Sequence, residues 1–170
     1  GYADHSKYDH PDAIESNIYA LRLGATVFEK HLTVKEGQDI IDSISAVNEE
    51  KFAKMVGHKY AVAVTSNSHG QDLVMKAMGF KGVDVINPTI SFATTAIVPL
   101  WNDCSSNIVD VLPDTMCISP SDVEKYKKSN SEVLISVHQA GLTAPIDEIR
   151  KVFGGFIIED CAHSCYTPEH

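Results

Sequence analysis

From Lys59 onward, short apolar runs rich in β-branched residues alternate with stretches of helical periodicity, and this alternation constrains the fold more than any other feature. Tyr60 to Thr65 (YAVAVT) predicts a buried strand. The stretch after it sets Leu73, Val74, Ala77 and Met78 on one helical face. Val83 to Asn87 (VDVIN) predicts a second strand, closed by Pro88, and a helix is expected from about Ser91 to Trp101. Asn107 to Val111 (NIVDV) reads as the third strand. Ser119-Pro120-Ser121-Asp122 reads as a helix start, with proline in the first turn and acidic groups against the positive end of the dipole. Glu132 to His138 (EVLISVH), a helix from Pro145 to Phe153, and a strand from Gly155 to Glu159 complete the pattern. Strands that alternate with helices imply a mostly parallel sheet covered on both faces, a three-layer α/β sandwich. Ligands of such sheets gather at the carboxyl ends of the strands, which is where Asp160 falls.

The first part of the chain reads differently. Ala13 to Leu23 predicts an amphipathic helix ended by Gly24. Ala25 to Val34 (ATVFEKHLTV) predicts a strand with Glu29 and His31 on one face, and a polar loop runs from Lys35 to Asp42. NEEKFAKMVG, Asn48 to Gly57, predicts a helix joining two unlike pieces, so two domains are expected, 1–48 and 49–170.

Composition narrows the function classes. A net charge of −9 repels phosphate backbones and argues against a nucleic-acid partner. No run of about 18 apolar residues predicts a membrane span, and Gly1 to His10 are polar, so a soluble cytoplasmic protein is expected, with reduced thiols at Cys104, Cys117, Cys161 and Cys165. Cys161, His163 and Cys165 crowd together, but their one-residue gaps are not those of a zinc knuckle.

The order of the remaining polar groups suggests a phosphorylated cofactor. Such a site needs a helix N-terminus for the phosphate, an apolar plate against the ring, and a charge partner for the ring nitrogen. Thr65-Ser66-Asn67-Ser68 precedes a helix, Phe92 follows a strand, and Asp160 ends one. Each also has a plain structural reading: a helix cap, a core aromatic, a turn carboxylate. His138 and His163 read as polar loop residues by the same measure.

FAKMVGHKYAVAVTSNS, VDVINPTISFATTA, NIVDV, VLISVHQAGLTAPIDEI and FIIEDCAHS, in that order from about Phe52 to Tyr166, resemble the DegT-type pyridoxal-phosphate-dependent sugar aminotransferases, which have the fold-type I architecture. The resemblance implies transfer of an amino group from glutamate to a nucleotide-linked keto-sugar, in a protein that works as a homodimer. It also implies that Ser68 and the amide of His69 meet the cofactor phosphate, that Phe92 stacks on the ring, and that Asp160 binds the pyridine nitrogen. His163, the expected catalytic residue, would approach the ring hydroxyl. The family usually reads Ser-Gly-Thr and then small residues where this chain has Ser66-Asn67-Ser68-His69, and Gly-Asp-Glu where it has Gly82-Val83-Asp84. In the family the lysine of the internal Schiff base lies well downstream of the Asp160 motif, and none of Lys125, Lys127, Lys128 or Lys151 matches it. The expectation is a truncated domain without turnover of its own.

GYADHS, LRLGATVFEKHLTV and EGQD, within about Gly1 to Asn48, resemble the last part of the barrel of sialic acid synthases. The resemblance implies a segment of a TIM-type barrel, with His5 and His31 as ligands of a divalent metal such as manganese or magnesium and Asp39 near the substrate. His10 offers a rival register for the first ligand. A bifunctional fusion serving nonulosonic acid biosynthesis, a metal-dependent phosphoenolpyruvate-condensing synthase, and a non-catalytic interaction remnant are the other readings.

Overall fold

The computed structural model describes residues 49–164, together with the backbone of two short strands in the first part of the chain. Those strands, β1 (Tyr2–Ala3) and β2 (Phe28–Glu29), pair in parallel with Tyr2 opposite Phe28. His5, His31, Asp39 and the expected helix at 13–23 lie outside the described residues, as does Cys165. The chain divides into two units: Gly1–Ala63 with Ser164–His170, and Val64–His163. In the first unit, α1 (Glu49–Met55) is the helix expected around 48–57, and Ala53 is buried.

The second unit carries the layered sheet. Its elements are α2 (Asn67–Met78), β3 (Asp84–Pro88), α3 (Thr94–Trp101), β4 (Ser105–Val109), α4 (Pro120–Tyr126), β5 (Ser131–Val137), α5 (Ile146–Val152) and β6 (Phe156–Asp160). The sheet is parallel throughout, in the order β4-β3-β5-β6. Its two faces bury different side chains because successive residues of a strand point to opposite sides. Ile86, Leu134 and Ile157 pack with Val123 of α4 and Ile149 of α5. Val85, Val133 and Ile135 pack with Met75 of α2 and Val98 of α3. Helices therefore cover both faces, as the alternation of elements requires.

Local chemistry sets the ends of the elements. Ser66, in extended conformation at φ −164° and ψ 161°, caps α2 by accepting from the His69 amide. Gly79 closes that helix at φ 71°, a left-handed conformation that costs glycine least. Ser119 caps α4 with Pro120 directly after it, as its sequence predicts. At Gly155, before β6, an added Cβ would collide with the Glu132 carbonyl oxygen and the Phe153 ring, so the chain passes there only without a side chain.

One expected strand is absent. Tyr60 to Thr65 forms no strand, and Tyr60, Val62 and Val64 are exposed at 75%, 69% and 42%. Its apolar alternation is that of a strand, but strand structure exists only as a ladder, and no described strand pairs with it. The third strand also lies two residues earlier than expected. Asn107 belongs to its middle, where Nδ2 donates to Asp84 at 2.9 Å.

The amino edge of the sheet is closed by a polar plug. Asp84, fully buried at the start of β3, accepts from Lys128 Nζ at 2.6 Å, Ser131 Oγ at 2.6 Å, Ser105 Oγ at 2.8 Å and Asn107 Nδ2 at 2.9 Å. Lys127 donates to the Val152 carbonyl at 2.7 Å. No helix among the described residues is long and apolar enough to cross a membrane.

Candidate functional site

At the carboxyl edge, the carboxylate of Asp160 ends β6 and is 6% exposed. Val137 lies opposite it in the ladder, and the His138 amide donates to its backbone carbonyl at 3.0 Å. Its side chain lies on the α2 side of the sheet. Oδ1 accepts from Asn67 Nδ2 at 2.9 Å and from the Ala162 amide at 3.0 Å, and Oδ2 accepts from Gln71 Nε2 at 2.8 Å. All of these donors are neutral. Among the described residues no ion pair involves Asp160, in contrast to Asp84 with its lysine. A nearly buried carboxylate satisfied only by dipoles keeps its charge available to a cation placed beside it.

The start of α2 brings the other expected groups. Ser68 Oγ lies 2.8 Å from Thr94 Oγ1, which ties the first turn of α2 to the first turn of α3. The His69 amide donates to Ser66 Oγ at 3.3 Å, and the His69 ring nitrogen Nδ1 lies 2.5 Å from Thr65 Oγ1. Phe92 stands in the loop between β3 and α3, 75% exposed, and its carbonyl accepts from the Thr95 amide at 3.0 Å to begin α3. The Ala140 amide points at His163 Nδ1 at 3.5 Å. No hydrogen bond joins Asp160 to Ser68, His69 or His163 among the described residues. The carboxyl edge thus carries Ser68, His69, Phe92, Asp160 and His163, while direct bonding gathers a different set around Asp160.

That set is what sequence reasoning missed. Asn67 counted as part of the Thr65–Ser68 stretch before the helix and as a departure from a small-residue pattern, and Gln71 was not singled out. Their spacing of four on a helix is the one signal that would have found them as a pair. His138, read as a polar loop residue, is 5% exposed and directly follows β5. Its Nε2 lies 3.0 Å from Glu159 Oε2, and its Nδ1 accepts from the Ala144 amide at 3.1 Å. Cys161 and then Glu159 pull its pKa upward, against the opposing pull of burial. The Ala144 amide acts in the other direction. A donor held by the backbone needs Nδ1 bare, so the neutral ring, with its hydrogen on Nε2 toward Glu159, satisfies both neighbours.

Between His138 and the start of α5 the chain is strained. Ala140 sits at φ 50° and ψ 31°, a left-handed conformation that costs a residue with a Cβ about 1 kcal/mol or more. Gln139 Nε2 anchors this turn by donating to the Ile90 carbonyl at 2.7 Å.

The residues present suit a pyridoxal phosphate ring. A protonated ring nitrogen would give Asp160 a cationic donor, and the first turn of α2 carries hydroxyls and a positive dipole end that would suit a phosphate. Lys127 and Lys128 are far from that role, since their partners Val152 and Asp84 lie at the other edge of the sheet.

A family model described as the DegT/DnrJ/EryC1/StrS aminotransferase family matches residues 33–170. Solved structures agree in fold. An aminotransferase from Psychrobacter cryohalolentis is 24% identical, with a TM-score of 0.65 over 68% of this chain and 30% of its own. The 3-amino-5-hydroxybenzoic acid (AHBA) synthase is 26% identical, with a TM-score of 0.66 over 95% of this chain and 40% of its own. DesV of S. venezuelae, in complex with a ketimine intermediate, is 22% identical, with a TM-score of 0.67 over 90% of this chain and 39% of its own. The chain thus spans 30 to 40% of the length of these structures, and its parallel sheet is that of the PLP-transferase fold.

Proposed function

Because the chain belongs to the DegT/DnrJ/EryC1/StrS aminotransferase family, we propose that its second unit carries the cofactor-binding face of a pyridoxal-phosphate-dependent sugar aminotransferase. In this reading the whole enzyme is a homodimer that moves an amino group from glutamate to a nucleotide-linked keto-sugar. The observation that carries the reading is the Asp160 carboxylate, nearly buried at the carboxyl end of β6 and held by neutral donors alone. When bound, the cofactor supplies an electron sink whose strength depends on a protonated ring nitrogen.

The residues of this chain then divide the work of binding. Asp160 holds the proton on the ring nitrogen by facing it with a fixed negative charge. Ser68 and the first-turn amides around His69 orient the phosphate, Phe92 covers a face of the ring, and His163 approaches the ring hydroxyl.

Pyridoxamine 5′-phosphate binds without a covalent link, so it tests the site directly. The protein is expected to bind it roughly 10-fold to 100-fold more tightly than the 1-deaza analogue, in which a C–H replaces the ring nitrogen. That ratio is the worth of one charge-assisted hydrogen bond of about 1.5–3 kcal/mol. Equal affinities in calorimetric titration would remove the proposed role of Asp160.

One observation favours a second reading for the first part of the chain. The parallel pairing sets Tyr2 opposite Phe28, and the interval between those positions is also the interval from His5 to His31 in sequence. His5 and His31 themselves lie outside the described residues; in a synthase-like barrel segment two such imidazoles would share one divalent ion. Manganese titration of the protein beside its His31→Ala variant is expected to show affinity reduced by about tenfold or more in the variant. The same affinity in both would exclude His31 as a ligand.

A further inference from the structure

Asn67 and Gln71 lie four residues apart in α2, so their side chains share the helix face that meets the end of β6. They are bonded to one another as well as to Asp160: Gln71 Nε2 donates to Asn67 Oδ1 at 2.7 Å and to Asp160 Oδ2 at 2.8 Å. Gln71 is 3% exposed, and its Oε1 is buried with no hydrogen-bond partner among the described residues. A buried acceptor without a donor is unfavourable, and an apolar side chain of the same length would fill the space without one. What the glutamine adds is a fixed N–H aimed at one oxygen of the carboxylate.

The two oxygens of Asp160 are loaded unequally. Oδ1 takes two donors, Asn67 and the Ala162 amide, which fills its usual acceptor capacity; Oδ2 takes only Gln71. One acceptor direction is left on Oδ2. We propose that Oδ2 is the oxygen that meets the ring nitrogen, and that Gln71 is the positioning residue that aims it, with Asn67 locking the Gln71 amide in turn. This rests on the reading of Asp160 as the partner of the ring nitrogen. Because Gln71 is uncharged, it fixes the plane of the carboxylate without supplying a positive charge that would compete with the ring.

The test is a comparison of two ligands across two proteins. Pyridoxamine 5′-phosphate and its 1-deaza analogue are titrated against the parent and against Gln71→Leu, with Gln71→Met as a second variant of similar size should the first lose its thermal transition. Removing the aim of Oδ2 is expected to weaken pyridoxamine phosphate about fivefold to tenfold, roughly what one hydrogen bond is worth. The deaza analogue, which has no ring N–H, should bind parent and variant alike. A glutamine that merely packs the helix would weaken both ligands equally. Equal weakening, or no change in either ligand, overturns the proposal while leaving the role of Asp160 intact. A parent that binds the two ligands equally, or binds neither, overturns that role and this inference with it.

Discussion

Replacing Asp84 by alanine is expected to lower the stability of the protein by about 3 kcal/mol, although the residue is far from the candidate site. Its carboxylate is fully buried and gathers Lys128, Ser131, Ser105 and Asn107 at the start of the parallel strands. Without it these donors face one another around a small void. The Lys128 ammonium is about half exposed and can turn to water, which is why the expected loss is not larger.

The same residue makes a pH prediction. Burial by itself would raise the Asp84 pKa, but Lys128, Ser131, Asn107 and Ser105 together outweigh it and hold the carboxyl below its ordinary value of 3.8. A group whose pKa is depressed by folding contributes fully above its unfolded value, and the contribution is lost as pH falls through the lower folded value. Urea denaturation of the parent should therefore show stability falling on the acid side of about pH 4, with a shallower fall in Asp84→Asn. A loss below about 1 kcal/mol for Asp84→Ala would mean that the plug is ornamental.

Asp160→Asn is expected to weaken pyridoxamine phosphate by about 100-fold, the largest functional effect of any single substitution considered. The change keeps the shape and removes the charge. It also disturbs the donors that hold the side chain. Oriented with its oxygen toward Asn67 and Ala162, the new amide turns its NH₂ group on the Gln71 NH₂. Gln71 can answer by rotating to present its unpartnered Oε1, but it then gives up its bond to Asn67 Oδ1. Stability should change by less than about 1 kcal/mol, since one hydrogen bond is exchanged for another, while the ring loses its counter-charge. Retained affinity in this variant would show that the cofactor is held by other groups.

The sheet was legible because strand burial is a local property. IleIle before Glu159, and ValLeuIle in β5, can only be interior on both faces, and the helices between them carry one-sided apolar stripes. The caps at Ser66 and Ser119 were legible for the same reason. Tyr60 to Thr65 failed because its alternation states a preference, whereas a strand is a relation with a second segment. Asp160 could be placed at a strand end from sequence. Nothing local could tell that its partners would be Asn67 and Gln71, roughly ninety residues earlier, because the meeting depends on which helix face turns to which strand. His138 was missed in the same way: the Ala144 amide that fixes its tautomer becomes visible only once the turn is folded.

The strand order has a consequence for where a ligand can enter. From β3 the chain first moves to one side, to β4, and then crosses back to place β5 on the other. The connections leaving β3 and β5 therefore depart to opposite faces, one toward α3 and the other toward α5. Where neighbouring strands send their loops apart, a topological switch point opens a crevice above the sheet. Gln139 and the Ile90 carbonyl span that opening at 2.7 Å, with Phe92 two residues along one lip and His138 beside the other. The place of such a crevice is thus a product of winding direction, set by the backbone before any side chain lines it.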